Sequence, residues 1–213
     1  TSGRVLPVVA LREETGVPVL VDGAPSVGAV PVHAVGMDFL TISGQKWLCG
    51  PDTTGALVVA DPERLRVTAP SYFSQSSYDA EGAFEPRPGA ARFDPAWWPP
   101  SSLAGLLAAL ELRPDWAFAR AAELAESCRA HLTSVGFEVL TPPERSTLVA
   151  FRPDGGETEQ IVERLRLAGV HVRDIPKTGL VRVSCGSGTD ESDLDRLLAG
   201  LGRSAGFRRG PAS

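Results

Sequence analysis

Of the twenty-one basic side chains in this 213-residue sequence only two are lysines, Lys46 and Lys177. Lys46 sits in the turn Ser43-Gly-Gln-Lys46-Trp-Leu-Cys-Gly-Pro51, and Asp22 opens an earlier glycine-bearing turn, Asp22-Gly-Ala-Pro-Ser-Val-Gly28. A lone lysine after a turn is ordinarily a solvated charge, and Lys177, in Pro-Lys-Thr-Gly, is read that way. An amine and a carboxylate that each follow a strand are a different case. A primary amine condenses with an aldehyde to a Schiff base, and a carboxylate keeps a heteroaromatic nitrogen protonated. Pyridoxal phosphate needs both at once.

The elements that must position this pair alternate between strand and helix. The spacing over Val5–Glu14 predicts a helix that stops near Gly16. Pro18–Asp22 and Asp38–Ser43 are apolar, β-branched runs, expected as strands of a largely parallel sheet. Asp22 and Lys46 then fall at the carboxyl ends of strands, the edge where open α/β sheets place their ligands. Thr54–Ala60 is a third strand, ended by Asp61-Pro62. Residues 69–100 show no period and are expected to form a long irregular loop. Ser101 or Ser102 is expected to cap a helix through Leu112, with Pro114 as the break before a second helix over Asp115–Ser134. The apolar stripe of this helical stretch is read as core packing. Beyond Gly136 the pattern predicts strands near Glu138–Leu140 and Thr147–Arg152, a helix over Glu157–Ala168, strands at Val170–Arg173 and Leu180–Ser184, and a helix over Glu191–Leu201. Residues 203–213 carry little apolar content and are expected to be a flexible tail.

Val21-Asp-Gly-Ala-Pro-Ser-Val-Gly28, Asp38-Phe39 and Ser43-Gly-Gln-Lys-Trp-Leu-Cys-Gly-Pro51 together resemble the signature of class V aminotransferase-fold enzymes, a group with cysteine desulfurases, isopenicillin N epimerase-like proteins and carbon–sulfur lyases. The resemblance implies an α/β chain equivalent to the C-terminal half of a fold-type I pyridoxal-phosphate-dependent transferase. Residues 1–114 would be part of the mostly parallel-sheet large domain that binds the cofactor, and 115–202 a connecting helix and a small α+β domain. It further implies that Lys46 forms the Schiff base and shuttles the α-proton, that Asp22 pairs with the pyridine nitrogen, and that Ser43 and Gln45 contact the phosphate. Leu180-Val-Arg182-Val-Ser184 resembles the family's arginine strand, which makes Arg182 the clamp for the substrate carboxylate. Proline stands at position 25 where the family usually has glutamine, and glutamine at 45 where it usually has histidine. Arg92-Phe-Asp94 resembles a family segment, but Pro95-Ala-Trp-Trp-Pro-Pro100 replaces the Gly-Thr pair that follows it there. Trp97 and Trp98 are read as entrance-lining or packing residues. The family's glycine-rich phosphate turn and ring-stacking aromatic lie upstream of Thr1, and the one methionine, Met37, is not an initiator.

Other chemistries find little support. Twenty-six acidic residues against twenty-one basic ones give a net charge of −5, the wrong sign for a phosphate backbone. No apolar run suits a membrane span, and a cytoplasmic protein is expected; the resemblance implies a homodimer acting on an amino acid as its small-molecule substrate. Cys49, Cys128 and Cys185 are too scattered for a disulfide framework, and Cys128 is read as core. Neither Cys49 nor Cys185 matches the loop cysteine of true desulfurases, which needs an accessible thiolate. His33, His131 and His171 lack metal-ligand spacing. The resemblance makes carbon–sulfur bond cleavage, by a cystine or cysteine-derivative lyase or a desulfurase-like enzyme, the leading expectation, with elimination ahead of desulfuration. The alternatives are an aminotransferase or epimerase of the same family, or a truncated, non-catalytic subunit.

Overall fold

The computed structural model describes residues 2–95, 97–142, 145–155 and 157–202; the expected tail at 203–213 lies outside the described residues. The chain divides into two compact units, residues 7–113 and residues 114 onward together with the first six.

The first unit opens with α1 (Val8–Thr15), closed by Gly16, whose left-handed conformation (φ 65°) lets its N–H reach the Arg12 carbonyl at 2.9 Å. β1 (Leu20–Asp22) and β2 (Phe39–Ser43) pair in parallel, while β3 (Gly55–Val59) lies antiparallel on the other side of β2. The expected parallel pairing therefore holds for β1 and β2 only, because the short turn from Ser43 to Gly55 reverses the chain and leaves no crossover. Asp38 ties three elements together: its carboxylate accepts from the Val19 amide at 3.0 Å and from the Arg12 guanidinium at 3.2 Å.

Residues 69–100 are more ordered than a long loop. They contain the antiparallel hairpin β4 (Gln75–Tyr78) and β5 (Phe84–Pro86). Its turn is held by Asp79, which accepts from the Glu81 and Ala83 amides at 3.1 and 2.8 Å. The polar composition of β4 hides it from a hydrophobicity pattern. Arg92 is buried and bonds the Arg87 and Pro62 carbonyls and the Glu63 carboxylate, so its role is to hold this segment in place. Trp97 packs its ring 5.7 Å from Phe73. α2 (Pro100–Glu111) is not capped by a serine side chain: Pro99 is the cap and Pro100 occupies the first turn. Proline's fixed φ and missing N–H suit that position. α2 buries no residue fully, and Leu103, Leu107 and Leu110, spaced along one stripe, stay exposed, against the core reading made for them.

The second unit is an α+β layer. α3 (Ala117–Ser134) leads into a four-stranded antiparallel sheet, β6 (Glu138–Val139), β7 (Leu148–Arg152), β8 (Arg173–Ile175) and β9 (Leu180–Ser184), ordered β6-β7-β9-β8. α4 (Thr158–Leu167) precedes β8, and α5 (Glu191–Gly200) follows β9. Alternate strand residues Val149, Phe151, Val181 and Val183 meet Leu124, Leu132, Ile161, Leu165, Leu194 and Leu198 in one core. The period-two strands and amphipathic helices thus bury their apolar faces together. β8 starts at Arg173 rather than Val170, because the Val170 amide closes the end of α4 on the Leu165 carbonyl at 2.9 Å. α5 begins with a reciprocal cap between Asp190 and Asp193.

Candidate active site

β1 delivers Asp22 to the sheet edge, and the chain turns at once: the Ser26 and Val27 amides bond the Gly23 carbonyl at 2.7 and 2.9 Å. The parallel register sets Asp22 opposite Thr41 on β2. Asp22 Oδ1 accepts from the Ala24 amide at 3.0 Å and from the Thr41 hydroxyl at 3.2 Å. These two donors hold the carboxyl below its ordinary range; burial opposes them, and the Lys46 charge adds the smallest lowering contribution. Both bonds use one oxygen. Oδ2 makes no hydrogen bond among the described residues, and the residue is exposed.

Lys46 occupies the turn that leaves β2, and backbone bonds close that turn. The Gly44 amide bonds the Thr54 carbonyl at 2.8 Å, and the Gly50 amide bonds the Gly44 carbonyl at 2.8 Å. Inside it the Cys49 amide bonds the Lys46 carbonyl at 2.9 Å. The closure needs glycine at 44, since a Cβ there would come within 2.3 Å of Thr54 Oγ1. Buried Thr54 in turn donates to the Pro51 carbonyl at 2.6 Å. Gly28 takes φ +88°, a backbone shape costly for other residues, and a Cβ on it would lie 2.8 Å from the Trp47 carbonyl carbon. The two turns are therefore in backbone contact, with the Lys46 side chain outside, exposed and without hydrogen bond or ion pair among the described residues. Its charge acts on Asp22. Ser43, half-buried, ends β2, and Gln45 is exposed beside Lys46. Neither side chain makes a hydrogen bond among the described residues. One unit thus brings Asp22, Ser43, Gln45 and Lys46 to one sheet edge.

Arg182 belongs to the other unit. On β9 it lies between Ala150 of β7 and Arg173 of β8. Alternation puts it on the face opposite to Val181 and Val183, away from the helices. It is half-buried, its Nε is buried without a partner, and no carboxylate pairs with it among the described residues. Burial first, then the neighbouring Arg173 charge, lowers its guanidinium from the ordinary arginine range.

Cys128 and Cys185 are buried together in the core. A hydrogen bond between the two thiols, together with burial, pushes Cys128 up. Cys49 is exposed, in the lysine turn at φ 58°. No group of three or more potential metal ligands occurs among the described residues, nor any helix long and apolar enough to cross a membrane. Reading the sequence alone missed Thr41 and Arg173. Thr41 was detectable as a hydroxyl in an otherwise apolar run, but its role depends on strand register. Arg173 needs the β8–β9 pairing to be seen beside Arg182.

The sequence model of the aminotransferase class-V family matches residues 1–197. The isopenicillin N epimerase of Streptomyces clavuligerus is 31% identical across 94% of this chain and 57% of its own length. Among solved structures, a variant of C-DES with glycine covalently linked to its PLP cofactor superposes with a TM-score of 0.85 at 27% identity, over 96% of this chain and 58% of that one. The complex of the cystine C–S lyase C-DES with its reaction product cysteine persulfide gives a TM-score of 0.84 at 28% identity, over 94% and 58% of the two chains. The chain spans somewhat more than half the length of these relatives.

Proposed function

This chain belongs to the aminotransferase class-V family of pyridoxal-phosphate-dependent enzymes, and on that premise we propose that it cleaves a carbon–sulfur bond in a cysteine-derived amino acid, with cystine as the favoured substrate. The observation that carries the reading is the exposed Lys46 amine at the same sheet edge as an Asp22 carboxylate whose Oδ1 accepts two hydrogen bonds and whose Oδ2 accepts none among the described residues. That donor set fits pyridoxal phosphate: an amine for the aldehyde carbon and a carboxylate oxygen for the ring nitrogen.

When bound, the cofactor supplies an electron sink for heterolysis at the amino acid's α-carbon. The chain's own groups do the rest. Asp22 would keep the pyridine nitrogen protonated, and the Ala24 and Thr41 donors favour the ionised carboxyl that this needs. Lys46 Nζ would hold the aldehyde carbon and would carry the proton taken from the α-carbon. The free Ser43 hydroxyl and Gln45 amide serve as phosphate donors. In the second unit, Arg182 and Arg173 are adjacent cations with no carboxylate among the described residues. That is a pairing suited to a ligand with two carboxylates, as cystine has.

Elimination is favoured over desulfuration by the thiols. A desulfurase needs an accessible cysteine on a mobile loop to accept sulfur; Cys128 and Cys185 are buried, and Cys49, though exposed, is held inside the closed lysine turn, where its amide bonds the Lys46 carbonyl. Elimination needs none, because the sulfur leaves as a small molecule. Cystine and water give cysteine persulfide, pyruvate and ammonia. The likeness to isopenicillin N epimerase supports a second reading in which the α-proton is returned to the opposite face and no bond to sulfur breaks.

The test begins with pyridoxal phosphate, borohydride reduction and intact mass with peptide mapping. One adduct on Lys46, absent from Lys46→Ala, is expected, followed by pyruvate and sulfane sulfur from cystine. Labelling that ignores Lys46, or falls equally on Lys177 and the amino terminus, overturns the cofactor reading. Labelled Lys46 with inverted amino acid and no pyruvate selects the epimerase reading.

A further inference from the structure

Arg113 follows α2 directly and is half-buried, with its amide on the Leu110 carbonyl. Its guanidinium donates through Nη1 to the Trp47 carbonyl at 2.9 Å and through Nη2 to the Gly28 carbonyl. Trp47 is the residue after Lys46, and Gly28 ends the turn that Asp22 opens. One rigid planar group therefore bonds both turns at once. The contact between them is already so close that Gly28 has no room for a Cβ against Trp47. α2 is seated on the lysine turn as well: a Cβ on Gly50 would come within 2.6 Å of Leu106, and one on Gly105 within 2.6 Å of Pro51.

We propose that Arg113 is a positioning residue, whose two-pronged bond clamps the Lys46 turn onto the Asp22 turn and so sets the separation of amine and carboxylate. The proposal rests on the reading that these two groups serve one cofactor, but the clamp itself is testable without it. Lysine, a single-point donor, cannot reproduce a planar fork across two carbonyls. Gly28→Ala should wedge the same two turns apart from inside while leaving the guanidinium in place.

The experiment combines amide exchange with a carboxyl-carbon NMR titration of Asp22, on the full chain without cofactor. In Arg113→Lys, exchange is expected to quicken roughly tenfold at Cys49 and Gly50 in one turn and at Ala29 and Val30 in the other, with Val58 in β3, paired with Leu40, unchanged. In the parent chain Lys46→Met should raise the Asp22 midpoint, because it removes a stabilising positive charge. In the Arg113→Lys and Gly28→Ala backgrounds that rise should fall to less than about half. A merely structural arginine would leave this coupling untouched. The proposal is overturned if Arg113→Lys exchanges like the parent in either turn, if the Lys46 effect on Asp22 is undiminished, or if the parent shows no such effect. A chain that passes these tests yet never takes label on Lys46 keeps the clamp and loses the cofactor reading.

Discussion

Replacing Arg182 by methionine should make the second unit more stable while removing the guanidinium proposed above to hold a carboxylate. The guanidinium sits half-buried on β9 with Nε unpartnered, and its cross-strand neighbour Arg173 carries the same charge. A buried donor left without an acceptor costs about 1–3 kcal/mol, and a like charge directly opposite costs about 0.2–1 kcal/mol more. Methionine keeps an unbranched apolar stem against Ala150 and Leu180, so little packing is lost. With water reaching the outer guanidinium nitrogens, the net gain falls to about 1–2 kcal/mol. Urea unfolding should be followed at the amides of Phe151 and Val181, because a whole-chain signal would merge two units into one apparent transition. Arg173→Met, which removes only the like charge, should gain no more than about 1 kcal/mol. If Arg182→Met is instead less stable than the parent by about 1 kcal/mol or more, the guanidinium is satisfied at home and is not held open for a ligand.

Thr41→Val removes one of the two donors on Asp22 Oδ1, so the carboxyl should titrate closer to its ordinary range in a carboxyl-carbon NMR experiment. The sign follows from linkage: a lowered folded pKa gives stability that is present above the unfolded value and disappears as pH falls through the folded one, so the valine variant should lose that contribution at a higher pH. Asp190→Ala breaks the reciprocal cap of α5 and should cost the second unit about 0.5–2 kcal/mol in urea, with the first unit unaffected.

Elements whose own residues carry their signal were legible. β9 follows from the alternation at 180–184, α5 from an acidic cap before an apolar stripe, and the end of α1 from Gly16. The hairpin at 75–86 was not, since Gln75-Ser-Ser-Tyr78 has no apolar face and its turn is organised by one aspartate side chain. The direction of β3 was also out of reach, because an apolar five-residue run reads the same whichever way it pairs. In the candidate site Asp22 and Lys46 announced themselves by type and by the turns they occupy. Thr41 and Arg113 did not, because each acts on a partner from a different element, Arg113 on carbonyls 66 and 85 positions away.

The lysine turn is latched by backbone bonds among Gly44, Gly50 and Thr54, with no hydrogen bond from the side chains of Gln45 or Lys46 and only a long 3.9 Å one from the Cys49 thiol to the Trp47 carbonyl. Labour is thus divided between the glycines, which hold the frame, and the outward side chains, of which Lys46 carries the amine and Gln45 stands beside it. Mutation at the glycines breaks the frame, whereas exchange of the outward side chains alters reactivity without disturbing the scaffold. A lineage can therefore explore new chemistry at this turn at little risk to folding. A library confined to position 45, with Lys46 retained, would sample that variation in isolation.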